Sequence, residues 1–318
     1  MFEGYITDVK GIKVGHSQSR EGMTGCTVIL CEKGATGGVD VRGSAPGTRE
    51  TDLLKAEKMV DKIHAVVLSG GSAFGLEAAS GVMKYLEEKG IGFDVGITKV
   101  PIVTSAVIFD LNIGDYKIRP DINMGYEACK NASFEEKRQG NIGCGMGATV
   151  GKILGHTSSM KSGLGSATVK VGDLVVSALV AVNSFGDIYD FSTGRQIAGV
   201  YDYDNKKLLN TVEIMKGMNN NIGFNMTNTT IGVIATNAIL TKAEANKVSQ
   251  MAHNGLAWTI NPIHTMVDGD TIFTMATNEI KADINLIGTM AAEAMAKAVL
   301  NGVYYAEGSY GLKAAKDI

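Results

Sequence analysis

The sequence lacks the features that place a protein in a membrane or on a nucleic acid. Its 318 residues contain only four prolines, and its net charge is −3. No apolar run approaches the ~18 uninterrupted residues of a transmembrane helix. The nearly balanced charge offers no electrostatic footprint for nucleic acid or an anionic membrane. We therefore expect neither a nucleic-acid partner nor a membrane partner.

Cysteine and histidine are also scarce. The four cysteines, at positions 26, 31, 129 and 144, form no C-x-x-C pair, and the five histidines have no metal-ligand spacing. This usage favours free buried thiols in a reducing compartment, without a metal site. The opening segment MFEGYITD has neither a basic region nor an apolar run, so we expect no signal peptide and a cytoplasmic protein. The absence of G-x-S-x-G argues against an α/β-hydrolase serine.

Glycine and apolar residues are abundant. Apolar residues make up 45% and charged residues 20%, which is typical of a globular protein with a sizeable core. Glycine accounts for 40 residues, well above the average of ~7%. Because apolar content stays high throughout, this glycine indicates tight turns and a backbone-lined site rather than disorder. The length suits one large domain or two ordinary ones.

Strand and helix patterns alternate along the chain, which predicts α/β layers. Apolar β patterns occupy residues 11–15, 27–30, 38–42, 64–69, 100–111, 166–171, 174–184, 231–235 and the stretch after residue 270. Helices are predicted over residues 51–62, 76–89, 121–130, 134–139, 241–254 and 283–300. The polar stretch from about residue 187 to residue 228 predicts a linker, and long loops of this kind are usually functional or disordered.

The densest glycine segment, residues 141–152, partly matches two nucleotide-binding motifs. Gly143, Gly145 and Ala148 fit the G-x-G-x-x-A spacing, but no apolar strand precedes them. The pair Gly151-Lys152 resembles the end of a phosphate-binding loop, but Ile153 replaces the required Ser or Thr. We therefore reject both nucleotide sites and keep a backbone-lined catalytic loop as an open interpretation.

The polar run that ends at Asn228 changes abruptly into a strand pattern after Thr229. A self-cleaving N-terminal nucleophile is expected at such a loop-to-strand junction. The hydroxyl of Thr229 would attack the carbonyl of Asn228, and water would hydrolyse the resulting ester. The new α-amine has an ordinary pKa of ~7.7–8.0 and can act as base for its own hydroxyl. The alternative is a threonine-rich strand start, because threonine is common in strands.

Four further side chains are candidates for the same chemistry. Asp268 and Asp270 flank a glycine, and two carboxyls this close repel, which tends to raise one pKa and suits proton transfer; the alternative is an Asp-Gly turn. Asn183 ends a strand beside a turn, where its amide can donate to an oxyanion or simply form the turn. Lys152 is either an electrostatic stabiliser or a solvated lysine.

Together these segments resemble the self-processing aminopeptidases, a family that includes the L-aminopeptidase/D-amidase-esterase DmpA, the β-aminopeptidases and the nylon-oligomer hydrolase NylC. The most specific segment is NTTIGVIATN at residues 228–237. The resemblance covers most of the chain and also includes residues 6–16, 41–50, 68–76, 106–111, 147–152 and 182–183.

The resemblance implies a four-layer α/β/β/α sandwich of the N-terminal-nucleophile-like type shared by DmpA and ornithine acetyltransferase. It implies one cut, into a large subunit of residues 1–228 and a small subunit of residues 229–318 within one sandwich domain. Thr229 matches the nucleophile, and Asp268 and Asp270 match the residues that hydrogen-bond it. Asn183 matches the oxyanion-side asparagine, and Lys152 matches a lysine close to the nucleophile. No metal or organic cofactor is implied.

The substrate is left open among several amides. A threonine with two aspartates is similar to the nylon-oligomer branch, which favours linear 6-aminohexanoate oligomers or small peptides and amino acid amides. L-aminopeptidase/D-esterase or β-aminopeptidase activity is the alternative, and ornithine acetyltransferase-like acyl transfer or a non-catalytic binding protein is more remote. Phe109 is a substrate-pocket candidate, where some relatives carry tyrosine. The resemblance also implies a homo-oligomer, a tetramer of processed chains.

Overall fold

The computed structural model describes residues 1–218 and 228–318, which form a mixed α/β structure around one large sheet. The strands of this sheet are β1 (Lys13–Ser19), β2 (Thr24–Val41), β3 (Thr48–Arg49), β4 (Lys62–Ser69), β5 (Val103–Val107), β6 (Leu164–Val171), β7 (Leu174–Ala181), β8 (Ile231–Ala238) and β9 (Thr271–Ile280). They pair in the order β6-β7-β8-β9-β2-β4-β5-β3, and β1 pairs with β2.

Four of the five helices in the described ranges cover the sheet in two pairs, the first with the second and the fourth with the fifth in chain order. The helices in the described ranges are α1 (Ala78–Glu88), α2 (Ile122–Lys130), α3 (Thr211–Gly217), α4 (Lys242–Thr259) and α5 (Ile284–Tyr304). Thr241 and Glu244 form a capping box at the start of α4. Gly165 on β6 lets α5 approach closely, because a Cβ there would lie 2.1 Å from the carbonyl oxygen of Ala298.

Short elements fill the connections. The short strands are Phe93–Asp94, Lys99–Val100, Thr149–Val150, Met160–Lys161, Asp187–Tyr189, Gln196–Ala198, Tyr201–Asp202, Lys207–Leu208 and Ile260–Asn261. The 3-10 helices are Ile6–Asp8, Asp52–Leu54, Ser72–Glu77, Gly143–Gly145, His156–Ser158 and Ala315–Asp317.

Three apolar clusters separate four layers of secondary structure. One cluster lies between α4, α5 and strands β6 to β9, and another lies between α1, α2 and strands β2, β4 and β5. The cluster between them joins the inner faces of the two strand groups, with Val66 and Leu68 of β4 and Val233 of β8 among its members. Because strand side chains alternate between faces, each strand group feeds two clusters. The predicted α/β/β/α sandwich is confirmed.

Several strand ends meet at one edge of this sandwich. β8 and β9 are parallel, with Ile231 opposite Thr271, so the loops that precede both strands lie side by side. β7 is antiparallel to β8, which brings the residues after Ala181 to the start of β8. β2 is antiparallel to β9, so the residues after Val41 reach the same edge. This topology gathers residues 43–47, 183, 228–230 and 268–270.

Three local predictions were wrong. Segments 27–30 and 38–42 are parts of one 18-residue strand, β2, whose pairing shifts between Leu30 and Ala35. The predicted helix over residues 51–62 is only the turn Asp52–Leu54, because Lys242 donates to the carbonyls of three residues in this segment, Leu53, Lys58 and Val60. The helix over residues 134–139 is absent, and Gln139 instead accepts a hydrogen bond from the Ser166 N–H.

The described part of the predicted linker contains regular secondary structure. It contains the short antiparallel pair of Tyr201–Asp202 with Lys207–Leu208, followed by helix α3. The Asn210 side chain caps α3 by accepting from the Glu213 N–H at 2.9 Å. The remainder of the predicted linker, residues 219–227, lies outside the described residues.

Candidate active site

The junction between Asn228 and Thr229 is buried at the start of β8. Thr229 is 4% exposed and Asn228 is fully buried. The Thr229 hydroxyl donates to the carbonyl oxygen of Asn228, and the Gly269 N–H donates to the same oxygen at 2.9 Å. The Thr229 N–H donates to the carbonyl oxygen of Asn183, also at 2.9 Å. The peptide bond that joins the two residues therefore has defined partners on both its carbonyl and its nitrogen.

The two predicted aspartates lie beside this bond. A parallel bridge pairs Asn228 with Asp268, which extends the β8–β9 pairing one step beyond the strands. Asp270 accepts a hydrogen bond from the N–H of Thr230 at 2.7 Å. Asp268 accepts two bonds on Oδ2, from the N–H of Thr265 at 2.9 Å and from its hydroxyl at 2.5 Å. The Asp-Gly-Asp segment thus lies beside the Asn228–Thr229 bond, and its catalytic role stays a prediction.

Gly269 has a steric reason to lack a side chain. A Cβ at this position would lie 2.7 Å from the carbonyl oxygen of Ala45 and 2.9 Å from Oγ1 of Thr229. The loop of residues 43–47 therefore contacts one side of the turn while the threonine hydroxyl contacts the other. Three backbone hydrogen bonds hold this loop in place: the Ala45 N–H donates to the backbone carbonyl of Asp268, and the N–H groups of Arg42 and Gly43 donate to the backbone carbonyl of Asp270.

Asn183 and Lys152 form a connected pair next to Thr229. The Lys152 ammonium donates to Oδ1 of Asn183 at 2.7 Å and to its carbonyl oxygen at 3.1 Å. The Asn183 side-chain nitrogen donates to the carbonyl oxygen of Phe109 at 3.0 Å. The Asn183 side-chain nitrogen therefore binds Phe109, whereas the Gly269 N–H is a backbone donor on the Asn228 carbonyl. An oxyanion role for Asn183 stays a prediction.

Burial and neighbouring charges shift the ionisation of this cluster. Burial and the nearby Asp270 carboxylate raise the pKa of Asp268 to about 6. Burial lowers the pKa of Lys152 to about 7, and the carboxyls of Asp268, Asp110 and Asp270 oppose that shift. A buried acid and a buried lysine with pKa values near neutrality are typical of groups that exchange protons at a reaction site.

Sequence reasoning missed several residues of this region. Asp110 follows β5, accepts from Thr24 Oγ1 and the Gly71 N–H, and has its pKa raised to about 6 by burial. His264 and Thr265 hold Asp270 and Asp268 respectively. Lys161 is fully buried beneath the glycine-rich segment. A charged residue at the end of an apolar run was the one signal for Asp110, whereas His264 and Lys161 carried none.

No metal site accompanies this cluster in the part of the chain that the structure describes. No group of three or more His, Cys, Asp or Glu side chains in residues 1–218 and 228–318 is placed to hold a metal ion. The four cysteines are free and buried. None of the described helices is long and apolar enough to cross a membrane.

The predicted substrate-pocket residue Phe109 is half-buried. Its backbone carbonyl accepts the hydrogen bond from the Asn183 side chain.

The chain belongs to peptidase family S58, whose family model matches residues 4–316. It is 39% identical over 345 aligned positions to an uncharacterised aminopeptidase of Mycobacterium tuberculosis (strain ATCC 25618 / H37Rv), covering 98% of this chain and 97% of the relative. It is 32% identical over 317 positions to the 6-aminohexanoate-oligomer endohydrolase of Kocuria sp. (strain KY2), covering 92% of this chain and 84% of the relative. The predicted family is confirmed, and it is a family of hydrolases.

Solved structures show the same fold. A Burkholderia sp. β-aminopeptidase superposes with a TM-score of 0.71 at 18% identity, covering 98% of this chain and 90% of that one. The L-aminopeptidase D-Ala-esterase/amidase of Ochrobactrum anthropi, described as a variant of the Ntn hydrolase fold, gives a TM-score of 0.72 at 17% identity. That match covers 98% of this chain and 89% of the other. At these identities the likeness concerns the fold.

Proposed function

We propose that this chain is a self-processing amide hydrolase in which Thr229 cuts its own bond to Asn228 and then acts as N-terminal nucleophile. The arrangement at that bond carries the proposal: the Thr229 hydroxyl and the Gly269 N–H both contact the Asn228 carbonyl oxygen. The hydroxyl thus lies against the carbonyl group that it would attack, and the N–H donor that polarises this carbonyl would stabilise the oxyanion that develops.

The cut follows as an acyl shift. Oγ1 of Thr229 bonds to the carbonyl carbon of Asn228, its proton passes to a nearby base, and the carbon–nitrogen bond breaks as the nitrogen gains a proton. Water then hydrolyses the ester, leaving a carboxylate on Asn228 and a free amine on Thr229. Before the cut this nitrogen is an amide and cannot act as base. Asp268, with a pKa near 6, and Lys152, with a pKa near 7, are the buried groups suited to the proton transfers.

After the cut the α-amine takes over as base. Its nitrogen is 2.9 Å from the Asn183 carbonyl oxygen, and the Lys152 ammonium is 3.1 Å from the same oxygen, so the two nitrogens are at most about 6 Å apart. A positive charge at this distance disfavours the ammonium form of the α-amine and keeps a lone pair available for the hydroxyl proton. The hydroxyl then attacks a substrate amide, and water releases the acyl group.

The products of processing are residues 1–228 and 229–318, which stay together in one sandwich. Thr229 is buried in the uncut chain, so we propose that release of the Asn228 carboxylate opens the space in front of its hydroxyl. We also propose a homotetramer of processed chains, from the family, and a cytoplasmic location, from the sequence. Size-exclusion chromatography with light scattering of the processed protein tests the tetramer.

The proposed substrates are linear 6-aminohexanoate oligomers, small peptides and amino acid amides. A relative at 32% identity is named a 6-aminohexanoate-oligomer endohydrolase, and relatives at 39% identity are named aminopeptidases. The acid pair and threonine favour the oligomers, whereas Phe109 lacks the tyrosine hydroxyl of some relatives. L-aminopeptidase/D-esterase or β-aminopeptidase activity is the alternative, followed by acyl transfer or binding without catalysis.

Intact-mass spectrometry of the purified chain tests the nucleophile. A 33.5 kDa chain cut in the ratio 228:90 gives roughly 24 and 9.5 kDa, with Thr229 as the new N-terminus. The Thr229→Ala variant should stay intact and inactive because it lacks the attacking hydroxyl. Cleavage of that variant at Asn228 would make the nucleophile assignment wrong.

The wild type should be folded and given time to mature before its mass is measured. A persistent single species of 33.5 kDa would then contradict self-processing and favour a binding protein. A panel of 6-aminohexanoate oligomers, dipeptides, β-dipeptides and D-amino acid amides, with and without an acyl acceptor, separates the substrate alternatives.

A further inference from the structure

The two aspartates around Gly269 have unlike partners. Asp270 accepts three N–H donors: the Thr230 N–H on Oδ1, and both the N–H and Nδ1 of His264 on Oδ2. Among the described residues, the Asp268 carboxyl accepts hydrogen bonds only from Thr265, on Oδ2. Its Oδ1 is buried and has no hydrogen-bond partner among the described residues. Hydrogen bonds from N–H donors favour a carboxylate, whereas a buried oxygen without a donor disfavours it.

His264 contacts Asp270 through a specialised backbone position. Its φ is 58°, in the left-handed region that non-glycine residues seldom adopt. This conformation directs both the backbone N–H, at 3.1 Å, and Nδ1, at 2.9 Å, to Oδ2 of Asp270. In the tautomer with its hydrogen on Nδ1, the ring donates to this carboxyl oxygen.

Other charged and titratable groups surround the pair. The ring of His253 on α4 contacts the His264 ring edge-on at 4.9 Å, and burial lowers the pKa of His253 to about 4. His253 Nε2 in turn lies 3.6 Å from Oδ2 of Asp40, which also binds Arg42 at 2.8 Å. On the opposite side Asp270 faces Asp268 and the Lys152 ammonium. His264 is the titratable side chain in hydrogen-bond contact with Asp270 in this set.

We propose that His264 is a positioning residue that keeps Asp270 ionised, so that Asp268 is the member of the acid pair that gains and loses the proton. The inference rests on the proposed function. In the acyl shift, Asp268 takes the hydroxyl proton of Thr229 as the new carbon–oxygen bond forms. It returns that proton to the α-nitrogen as the carbon–nitrogen bond breaks. Asp270 stays charged throughout and holds the Thr230 N–H, which fixes the backbone beside the nucleophile.

The left-handed backbone at position 264 allows a matched pair of variants. His264→Gly relieves the backbone strain and removes the side-chain donor, whereas His264→Asn suits the same backbone and places an N–H donor close to the position of Nδ1. His253→Phe keeps a ring against position 264 and removes the link to Asp40. The loss of one hydrogen bond to a charged group changes an equilibrium by about tenfold.

The rate at which the intact chain is converted to its two fragments should be measured from pH 5 to pH 9. We expect His264→Gly to process about tenfold more slowly than wild type at pH 6, with the acid limb of the profile displaced, because the loss of one N–H donor lets the proton divide between the two acids. His264→Asn and His253→Phe should stay within about threefold of wild type. A His264→Gly profile with an unchanged acid limb would overturn the proposal.

A readout without catalysis separates this inference from the proposed function. In the Thr229→Ala chain labelled with ¹⁵N-histidine, the Nδ1 of His264 should carry a proton in slow exchange with water at neutral pH. If wild type fails to process, the proposed function is wrong, and this spectrum still decides the His264–Asp270 pairing. An unprotonated Nδ1 would make the pairing itself wrong.

Discussion

Lys152 and Lys161 offer a comparison between two lysines of one glycine-rich region. Both are almost completely buried, and burial lowers the pKa of each to about 7. Lys161 donates to the backbone carbonyls of Gly145, Ala148 and Ser162. Among the described residues, the Lys152 ammonium donates only to atoms of Asn183, beside the proposed nucleophile. A shifted pKa therefore does not distinguish a structural lysine from a functional one, whereas the hydrogen-bond partners do.

The two lysines act at different points of the same segment. Lys161 joins three separate backbone positions and so holds the turns that precede Lys152. The atoms that Lys152 contacts keep other donors, because Thr229 N–H also binds the Asn183 carbonyl and Thr149 N–H also binds its side-chain oxygen. Loss of Lys152 should thus leave no unpaired acceptor. Loss of Lys161 leaves the Ser162 carbonyl without a donor among the described residues, whereas backbone N–H groups still bind the carbonyls of Gly145 and Ala148.

The largest expected effect is on the rate of processing in Lys152→Met. The variant loses the one cation that faces Asp268 and the α-nitrogen in the described site, so the rate should fall by about 10³-fold, or about 4 kcal/mol. Its free energy of unfolding should change little, because Asn183 remains hydrogen-bonded. Intact-mass time courses and urea unfolding measure the two quantities. A processing rate within threefold of wild type would contradict the functional assignment of Lys152.

Lys161→Met should mainly affect stability. The Ser162 carbonyl loses its donor, while the Gly145 and Ala148 carbonyls keep one backbone donor each, so the free energy of unfolding should fall by about 2–3 kcal/mol. The fraction that folds should still process, because every group that contacts the Asn228–Thr229 bond is retained. Urea unfolding in the Thr229→Ala background, together with the yield of fragments, tests this. A stable chain that fails to process would contradict the structural assignment.

The smallest expected effect is the pH dependence of stability in Asp110→Asn. Burial raises the pKa of Asp110 from 3.8 to about 6, so between these values the native state binds a proton that the unfolded state has released. The wild type therefore loses stability as pH rises through this window. The asparagine removes that loss, so the stability of the variant relative to wild type should grow by about 2 kcal/mol from pH 4 to pH 6.

Unfolding of both chains at several pH values checks the sign of this prediction. Thr24→Ser serves as a control, because it keeps the hydroxyl that binds Asp110 while altering the same contact region. A relative stability that falls with pH would mean that the native carboxyl is ionised more readily than in water.

The predicted helices were confirmed where the local sequence pattern agrees with the tertiary packing. Helices α2, α4 and α5 begin within a residue of their predicted starts, because Asp121, Thr241 and Asp283 cap them locally. The predicted helix over residues 51–62 failed because a distant residue, Lys242, takes the carbonyls that a helix would have used. Strand β2 was divided in two because its middle residues have no apolar alternation.

The candidate site divides in the same way. Thr229 is marked by an abrupt change from polar chain to strand, and Asp268 and Asp270 by their spacing around a glycine. Nothing local marks His264 or Lys161, because each depends on a partner brought near by the fold. The donor on the Asn228 carbonyl is a backbone N–H of Gly269, and a backbone group carries no signal in side-chain patterns.

By itself the sequence determined the α/β class, the junction before Thr229 and the residues of the acid pair. These features depend on periodicity, capping and spacing along the chain, which are local properties. Only the tertiary structure decided which atoms meet: the parallel pairing of β8 and β9 aligns Asn228 with Asp268, and burial brings Lys152 to Asn183. Contacts between distant segments follow from how the strands pair, and no local pattern encodes that pairing uniquely.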